Sequence, residues 1–270
     1  MNICVCIKQV PDTNEIKVDP VTHTLVRKGV PSIVNPFDTY AQEVGVRLKE
    51  KLGGKVVVIS MGPEQAKEAI KTCLSVGADA GYLISSRKFG GSDTLATSYI
   101  LSEAIKAVEE KEGLKFDLIL CGKQAVDGDT AQVGPQIAEH LGIPHVSYAA
   151  SVEVEGDDTV VIRRNFEDRY HIIEAKTPLL ITTLGEEIEP RYMSVGGIFD
   201  AYREKEVKVW GYEDLQGCVD DSNLGLKGSP TQVKKSFTKP VKPAGTLYQE
   251  VSADEAVEII VNKLKEKYII

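Results

Sequence analysis

The chain has 270 residues, a formal net charge of −8, 42% hydrophobic and 27% charged residues. This length suffices for a full core in one large domain, or one domain with appendages, and the acidic balance argues against a nucleic-acid partner. No apolar run approaches the roughly 20 residues of a membrane span, and the start, with Lys8 and Pro11-Asp12, does not read as a secretory leader. Five cysteines (Cys4, Cys6, Cys73, Cys121, Cys218), odd in number and without a CxxC pair, fit reduced thiols and a cytoplasmic location. The four histidines show no metal-ligand spacing.

In chain order, Ile3-Cys4-Val5-Cys6-Ile7 is short and apolar throughout, which predicts a central strand of a parallel sheet. Ile16–Val18 and Thr24–Val26 flank Asp19–His23 and read as a hairpin-like excursion. Asn35-Pro36-Phe37-Asp38 opens a helix, because Asn before Pro is held extended and Tyr40, Val44 and Leu48 follow at helical spacing. Val56–Ser60 is a second buried strand, and Met61-Gly62-Pro63 turns into a helix with proline at its first position. Ala80–Ile84 is a third strand. After it, Gly90-Gly91 frees the backbone and Ser92, Asp93 and Thr94 offer caps to another helix.

Asp117–Leu120 is the fourth strand and feeds the longest polar loop, Cys121–Gln132, before an amphipathic helix carrying Val133, Ile137, Ala138 and Leu141. Thr130 or Asp129 is the expected cap, and the remaining amides with the helix dipole suit a phosphate. Asp127 and Asp129 would repel that phosphate, so at least one is expected to face sugar hydroxyls. Neither G-x-G-x-x-G nor a Walker A sequence occurs. After Pro144 the pattern changes to strands expected to be antiparallel: 146–154, 160–164, 170–175 and 179–183, with a turn at Gly156-Asp157-Asp158. Residues 200–250 read as an extended arm, and Ser252 with Glu255 forms a capping box before Val257, Ile260, Val261 and Leu264 on one helix face.

The fold class is therefore α/β, a doubly wound parallel sheet with an antiparallel hairpin region, an arm and a terminal helix. The expected organisation is residues 1–187, then a loop and arm over 188–250, then a helix over 251–270 that packs on a partner or on the domain. Residue chemistry alone ends at an α/β protein that binds a phosphorylated nucleotide, with no general base or nucleophile evident from spacing.

Ile7-Lys8-Gln9-Val10-Pro11-Asp12, Gly90–Thr97, Gly122–Ala125 with Asp127–Pro135, Lys176-Thr177-Pro178 and Gly228–Val233 together resemble the electron-transfer flavoprotein (ETF) β subunit, in particular its electron-bifurcating branch. The resemblance covers nearly the whole chain; Arg169 and His171 depart from the pattern. It implies FAD bound by Cys6, Lys8, Asn35, Asp38, Ser60, Met61 and Gly62, by Gly91, Asp93, Thr94, Ala96 and Thr97, and by Gly122, Lys123, Gln124, Asp127, Gly128, Asp129, Thr130, Ala131, Gln132 and Val133. It implies that Arg164 lies toward the flavin and favours its anionic reduced form, and that Arg191, Tyr192 and Met193 dock a dehydrogenase of acyl-CoA or hydroxy-acid type. It also implies an α subunit with a second FAD, NADH as hydride donor, and ferredoxin or flavodoxin as one electron acceptor. Two other readings stand beside this one: a non-bifurcating β subunit holding AMP, and a nucleotide-sensing module without a redox role.

Overall fold

The structure, a computed structural model, describes residues 1–12, 31–156, 158–185, 187–234 and 242–270. It divides into two compact units, Met1–Ser236 and Phe237–Ile270. The expected 16–26 excursion lies outside the described residues.

The first unit is built on strands β1 (Asn2–Ile7), β4 (Lys55–Met61), β5 (Ala80–Ile84), β6 (Leu118–Gly122), β7 (His145–Glu155), β8 (Thr159–Asn165), β9 (Tyr170–Lys176), β10 (Leu179–Thr183) and β11 (Val207–Trp210). They form one sheet in the order β11-β5-β4-β1-β6-β10-β7-β8-β9. A separate two-stranded antiparallel ribbon pairs β2 (Gln9–Pro11) with β3 (Ser32–Val34). Helices α1 (Pro36–Leu52) and α2 (Lys67–Ser75) pack on one face of the main sheet, and α3 (Thr94–Glu112) and α4 (Val133–Leu141) on the other. The near-continuous apolar strands follow from this sandwich. Ile3 and Val5 point into the α1/α2 layer, whereas Cys4 and Cys6 point into the α3/α4 layer, so every position is buried.

From β1 the chain runs through α1 outward to β4 and β5; from β6 it runs through α4 in the opposite direction to β7. β1 and β6 are neighbours, so their carboxyl ends define the topological switch point, where open α/β sheets bind ligands.

The structure corrects two expectations. Leu179–Thr183 was expected among the antiparallel strands, but β10 is parallel to both β6 and β7 and lies between them. Within the main sheet, among the described residues, only β7, β8 and β9 pair antiparallel. Three apolar residues and two threonines, all buried, carry no mark of direction. The arm expected over 200–250 begins later: Val207–Trp210 add an edge strand to β5, and Leu215, Leu224 and Ser229 are buried beyond it. Of the expected turn at 156–158, Gly156 has φ +68°, and Asp157 lies outside the described residues.

The second unit contains α6, named after α5 (Val195–Phe199) of the first; α6 spans Ala253–Glu266 and opens with the expected capping box. The Ser252 hydroxyl accepts from the Glu255 amide, and the Glu255 carboxylate accepts from the Ser252 amide.

Candidate functional site at the switch point

Asp38, at the start of α1, sits beneath the crevice. One carboxylate oxygen accepts from the Lys8 amide at 2.7 Å and the other from the Gly122 amide at 3.1 Å, so it joins the ends of β1 and β6. Burial pushes its pKa up to about 7 despite the opposing hydrogen bonds. Gly122 must be glycine, because a Cβ there would lie 2.7 Å from the Asp38 nitrogen and 2.6 Å from the Phe37 carbonyl carbon. Asn35 is 0% exposed and bonds both ways to the loop: its Nδ2 donates to the Gln124 carbonyl (2.8 Å) and its Oδ1 accepts from the Val126 amide (3.0 Å). Asn35 and Asp38 were expected to touch a ligand. The structure gives both side chains protein partners, and their work is to hold the loop.

The loop itself is strained. Asp129 has φ +55° and Ala131 φ +52°, the left-handed region that costs a non-glycine residue about 1–2 kcal/mol. Gln132 returns to a right-handed conformation (φ −106°, ψ −31°). Left- and right-handed residues in succession turn consecutive amides toward one point and form an anion-binding nest. Among the described residues, the amides of Thr130, Ala131, Gln132 and Val133 have no protein acceptor, and neither does the Thr130 hydroxyl. The expected cap by Thr130 or Asp129 is therefore absent. α4 starts at Val133, and Gln132 at the cap position makes no side-chain cap, because the strained pair delays the helix. That leaves the helix N-terminus with donors to offer a phosphate.

Both aspartates have a protein partner on one oxygen. Asp127 accepts from Lys8 Nζ at 2.6 Å, and Asp129 from Gln124 Nε2 at 2.5 Å. Gly128, a residue the resemblance places against FAD, is unconstrained. It is not among the positive-φ glycines, and nothing lies within 4 Å of a Cβ placed there.

The second loop meets the first. The Thr94 hydroxyl donates to Gln132 Oε1 at 3.1 Å. Asp93 caps α3, accepting from the Leu95 and Ala96 amides at 3.0 and 3.1 Å. Its other oxygen accepts from the Thr231 amide and hydroxyl, and its own amide donates to Ser229. Burial opposes ionisation of Asp93, but these donors outweigh it and hold the carboxyl below its usual range. Gly91 adopts φ +75° and Thr97 is half-buried, whereas Ala96 is buried. The sequence reading missed Ser229 and Thr231 as supports of this cap, although the resemblance ran through Gly228–Val233.

On the other flank, Ser60, one residue before the end of β4, is fully buried with its hydroxyl unpartnered, a polar atom a ligand could satisfy. Met61 is half-buried, and the Gly62 amide is already used by the Ile84 carbonyl. A small cavity of about 30 Å³ beside these residues is lined by Gln9, Pro63, Gln65 and Asp127, among others. Cys6 points into the core, opposite Cys121, so only its backbone reaches the edge. The Lys123 ammonium lies 5.6 Å from the Tyr148 ring centroid and the Arg164 guanidinium 5.9 Å. Arg164 also stacks 4.7 Å from Phe166, and its buried Nε is unpartnered.

The expected docking residues separate. Arg191 is an anchor: its guanidinium pairs with Glu43 at 2.9 Å and Glu50 at 2.5 Å on α1. Burial would push the Glu43 carboxyl up, but Arg191 and Arg47 outweigh it and hold it down. Tyr192, 94% exposed, and Met193 are presented outward.

The mostly parallel sheet with helices on both faces and a switch point between β1 and β6 defines an open α/β protein. The sequence pattern of the electron transfer flavoprotein domain matches residues 22–214. An electron transfer flavoprotein subunit beta of Clostridium acetobutylicum is 54% identical over the full length of both chains. A caffeyl-CoA reductase-Etf complex subunit, CarD of Acetobacterium woodii, is 48% identical, again over all of both chains. An acryloyl-CoA reductase electron transfer subunit gamma of Anaerotignum propionicum is 46% identical over all of both. The chain belongs to the electron transfer flavoprotein family, as a β subunit, and its chemistry is redox electron transfer associated with flavin.

Proposed function

We propose that this chain is the β subunit of an electron-bifurcating flavoprotein, and that its switch-point crevice holds FAD. The observation that carries the reading is the uncapped nest of Thr130–Val133, tied by Gln132 to Thr94 on the second loop. Two relatives whose names place them with CoA-ester reductases support it. The residues present fit a pyrophosphate-bearing cofactor. The nest amides and the Thr130 hydroxyl would receive its phosphates, and Ser60 supplies an unsatisfied hydroxyl on the flank of β4. Lys8 and Gln124 hold the two aspartates off those phosphates.

Bound there, FAD would supply the redox chemistry: a hydride taken from NADH, one electron passed to ferredoxin or flavodoxin and one to a second FAD in the α subunit. The chain's own part is positioning and charge. Arg164 and Lys123, stacked around Tyr148 without carboxylate partners, supply positive charge at the carboxyl edge, which favours an anionic reduced ring if it lies within their reach. Tyr192 and Met193, held out by the Arg191 anchor, present an apolar contact to a partner dehydrogenase in the cytoplasm.

The test is cofactor stoichiometry of the purified αβ heterodimer. Two FAD per heterodimer, with both bleached by NADH, is the expected result. One FAD with one AMP identifies a non-bifurcating subunit and overturns the reading; absence of flavin leaves only nucleotide sensing.

A further inference from the structure

A cleft of about 290 Å³ opens between the turn Arg87–Phe89, just after β5, and the segment around Leu224–Lys227. Three cations line it, Arg87, Lys88 and Lys227, against one acid, Asp221. Lys88 and Asp221 cancel: the ammonium lies 3.6 Å from the carboxylate and 3.2 Å from the Tyr212 ring centroid, and the Tyr212 hydroxyl donates to the same carboxylate at 2.7 Å. Arg87 and Lys227 remain without an ion pair among the described residues. Lys227 acts on the Asp220 carboxylate beside the cleft without a direct ion pair, so three cations face two acids, a local reversal of field in a chain of net charge −8 that selects an anion. Leu224 and Leu226 give the cleft an apolar wall. The volume is near the lower end for small-molecule sites and suits part of a nucleotide.

The walls are fixed in place. Gly225, at φ +53°, packs against the Lys88 carbonyl, and Leu226 fills the space beside Gly91. Ser229 and Thr231 bind Asp93, whose neighbour Thr94 touches the nest through Gln132. The cleft therefore adjoins the crevice through one rigid turn.

We propose that this cleft is a binding site for a phosphate-bearing nucleotide, with Arg87 and Lys227 holding the phosphate and Leu224 and Leu226 facing the apolar part. Two sources share that chemistry: the dinucleotide electron donor, which rests on the function proposed above, and a separate adenine nucleotide acting as effector, which does not.

The test uses the flavin-loaded αβ complex, so that the nest is filled, and compares wild type with the Arg87→Ala/Lys227→Ala double variant. Both side chains are exposed, so the fold survives, and flavin content and melting temperature serve as controls. ADP titrated calorimetrically is expected to bind wild type and to bind the double variant about tenfold or more weakly, as for loss of charge-assisted bonds. Inorganic phosphate should compete in wild type, and Lys227→Gln alone should weaken ADP by an intermediate factor. A rise of about tenfold in the KM for NADH at unchanged kcat assigns the site to the donor; an unchanged KM with ADP binding lost assigns it to an effector. ADP that binds both forms equally, or does not bind wild type, overturns the proposal. The ADP titration does not involve electron transfer, so it decides the site even if NADH proves not to be a substrate.

Discussion

At the scale of residues, two glycines in one loop have opposite meanings. Gly122→Ala drives a Cβ into the backbone at Phe37 and Asp38, which must shift, and a cost of about 1–3 kcal/mol is expected with loss of bound cofactor. Gly128→Ala meets open space in an ordinary conformation and should change stability by less than about 0.5 kcal/mol. Chemical denaturation of both variants, with flavin content measured alongside, checks the contrast. Thr130→Val should leave the fold intact, because the hydroxyl has no protein partner, and should cost about tenfold in FAD affinity, read as flavin retained after gel filtration. Asp38 adds a pH dependence of definite sign. Its folded pKa, about 7, lies above the unfolded value near 3.8, so the folded state binds the proton more tightly. Its contribution to stability therefore grows as pH falls through 7 and is complete only near 3.8. Asn cannot titrate, so from pH 8 to pH 5 the wild-type melting temperature should rise relative to that of Asp38→Asn. A constant difference over that range would show that burial does not govern this carboxyl.

At the scale of elements, Arg191 and Tyr192 are adjacent in sequence and opposed in role. Arg191→Ala leaves the buried Glu43 carboxylate with Arg47 as its remaining ion-pair partner, and a loss of about 1–3 kcal/mol at neutral pH is expected. Glu43 is held below its usual pKa, so this stabilisation is present at neutral pH and fades as pH drops through the ordinary carboxylate range. Tyr192→Ala should melt like wild type and slow only electron delivery to the dehydrogenase; thermal melts and stopped-flow transfer separate the two. The sequence made the apolar elements legible because periodicity is local: β1, β4, β5, β6 and the helices between them follow from spacing. It could not show that Arg191 is tied to α1, because its partners lie more than 140 residues away. It misplaced the start of α4, because left-handed Asp129 and Ala131 carry no composition signal when glycine is absent from those positions. It left β11 in an arm, because four residues at a sheet edge are too short to display a period. Placement of the candidate site residues owed most to the loop chemistry at 121–134 and least to single residues such as Cys6, whose side chain faces the core.

At the scale of the whole molecule, the two units differ in what holds them together. The first has apolar layers on both faces of a nine-stranded sheet, a core that supports folding without a partner. The second unit holds the terminal helix and the end of the arm. Among its described residues that unit has one helix of 14 residues, and no second element there covers its apolar stripe of Val257, Ile260, Val261 and Leu264. An isolated helix of that length is marginal in water even with a good cap. A stripe of four aliphatic side chains is worth roughly 1.5–3 kcal/mol each when fully buried, before the entropy of ordering is subtracted. If the stripe docks on the α subunit, ending the chain after Ser236 removes that surface and leaves the first unit's core untouched. The truncated chain should then melt cooperatively within a few degrees of the full chain, while the dissociation constant of the αβ heterodimer rises at least about a hundredfold, the equivalent of about 2.7 kcal/mol. Scanning calorimetry of the truncated chain and sedimentation of the mixed subunits read the two quantities separately. Unchanged heterodimer affinity would mean that the helix serves this chain alone, whereas loss of the cooperative melt would mean that the first unit's core is incomplete without it.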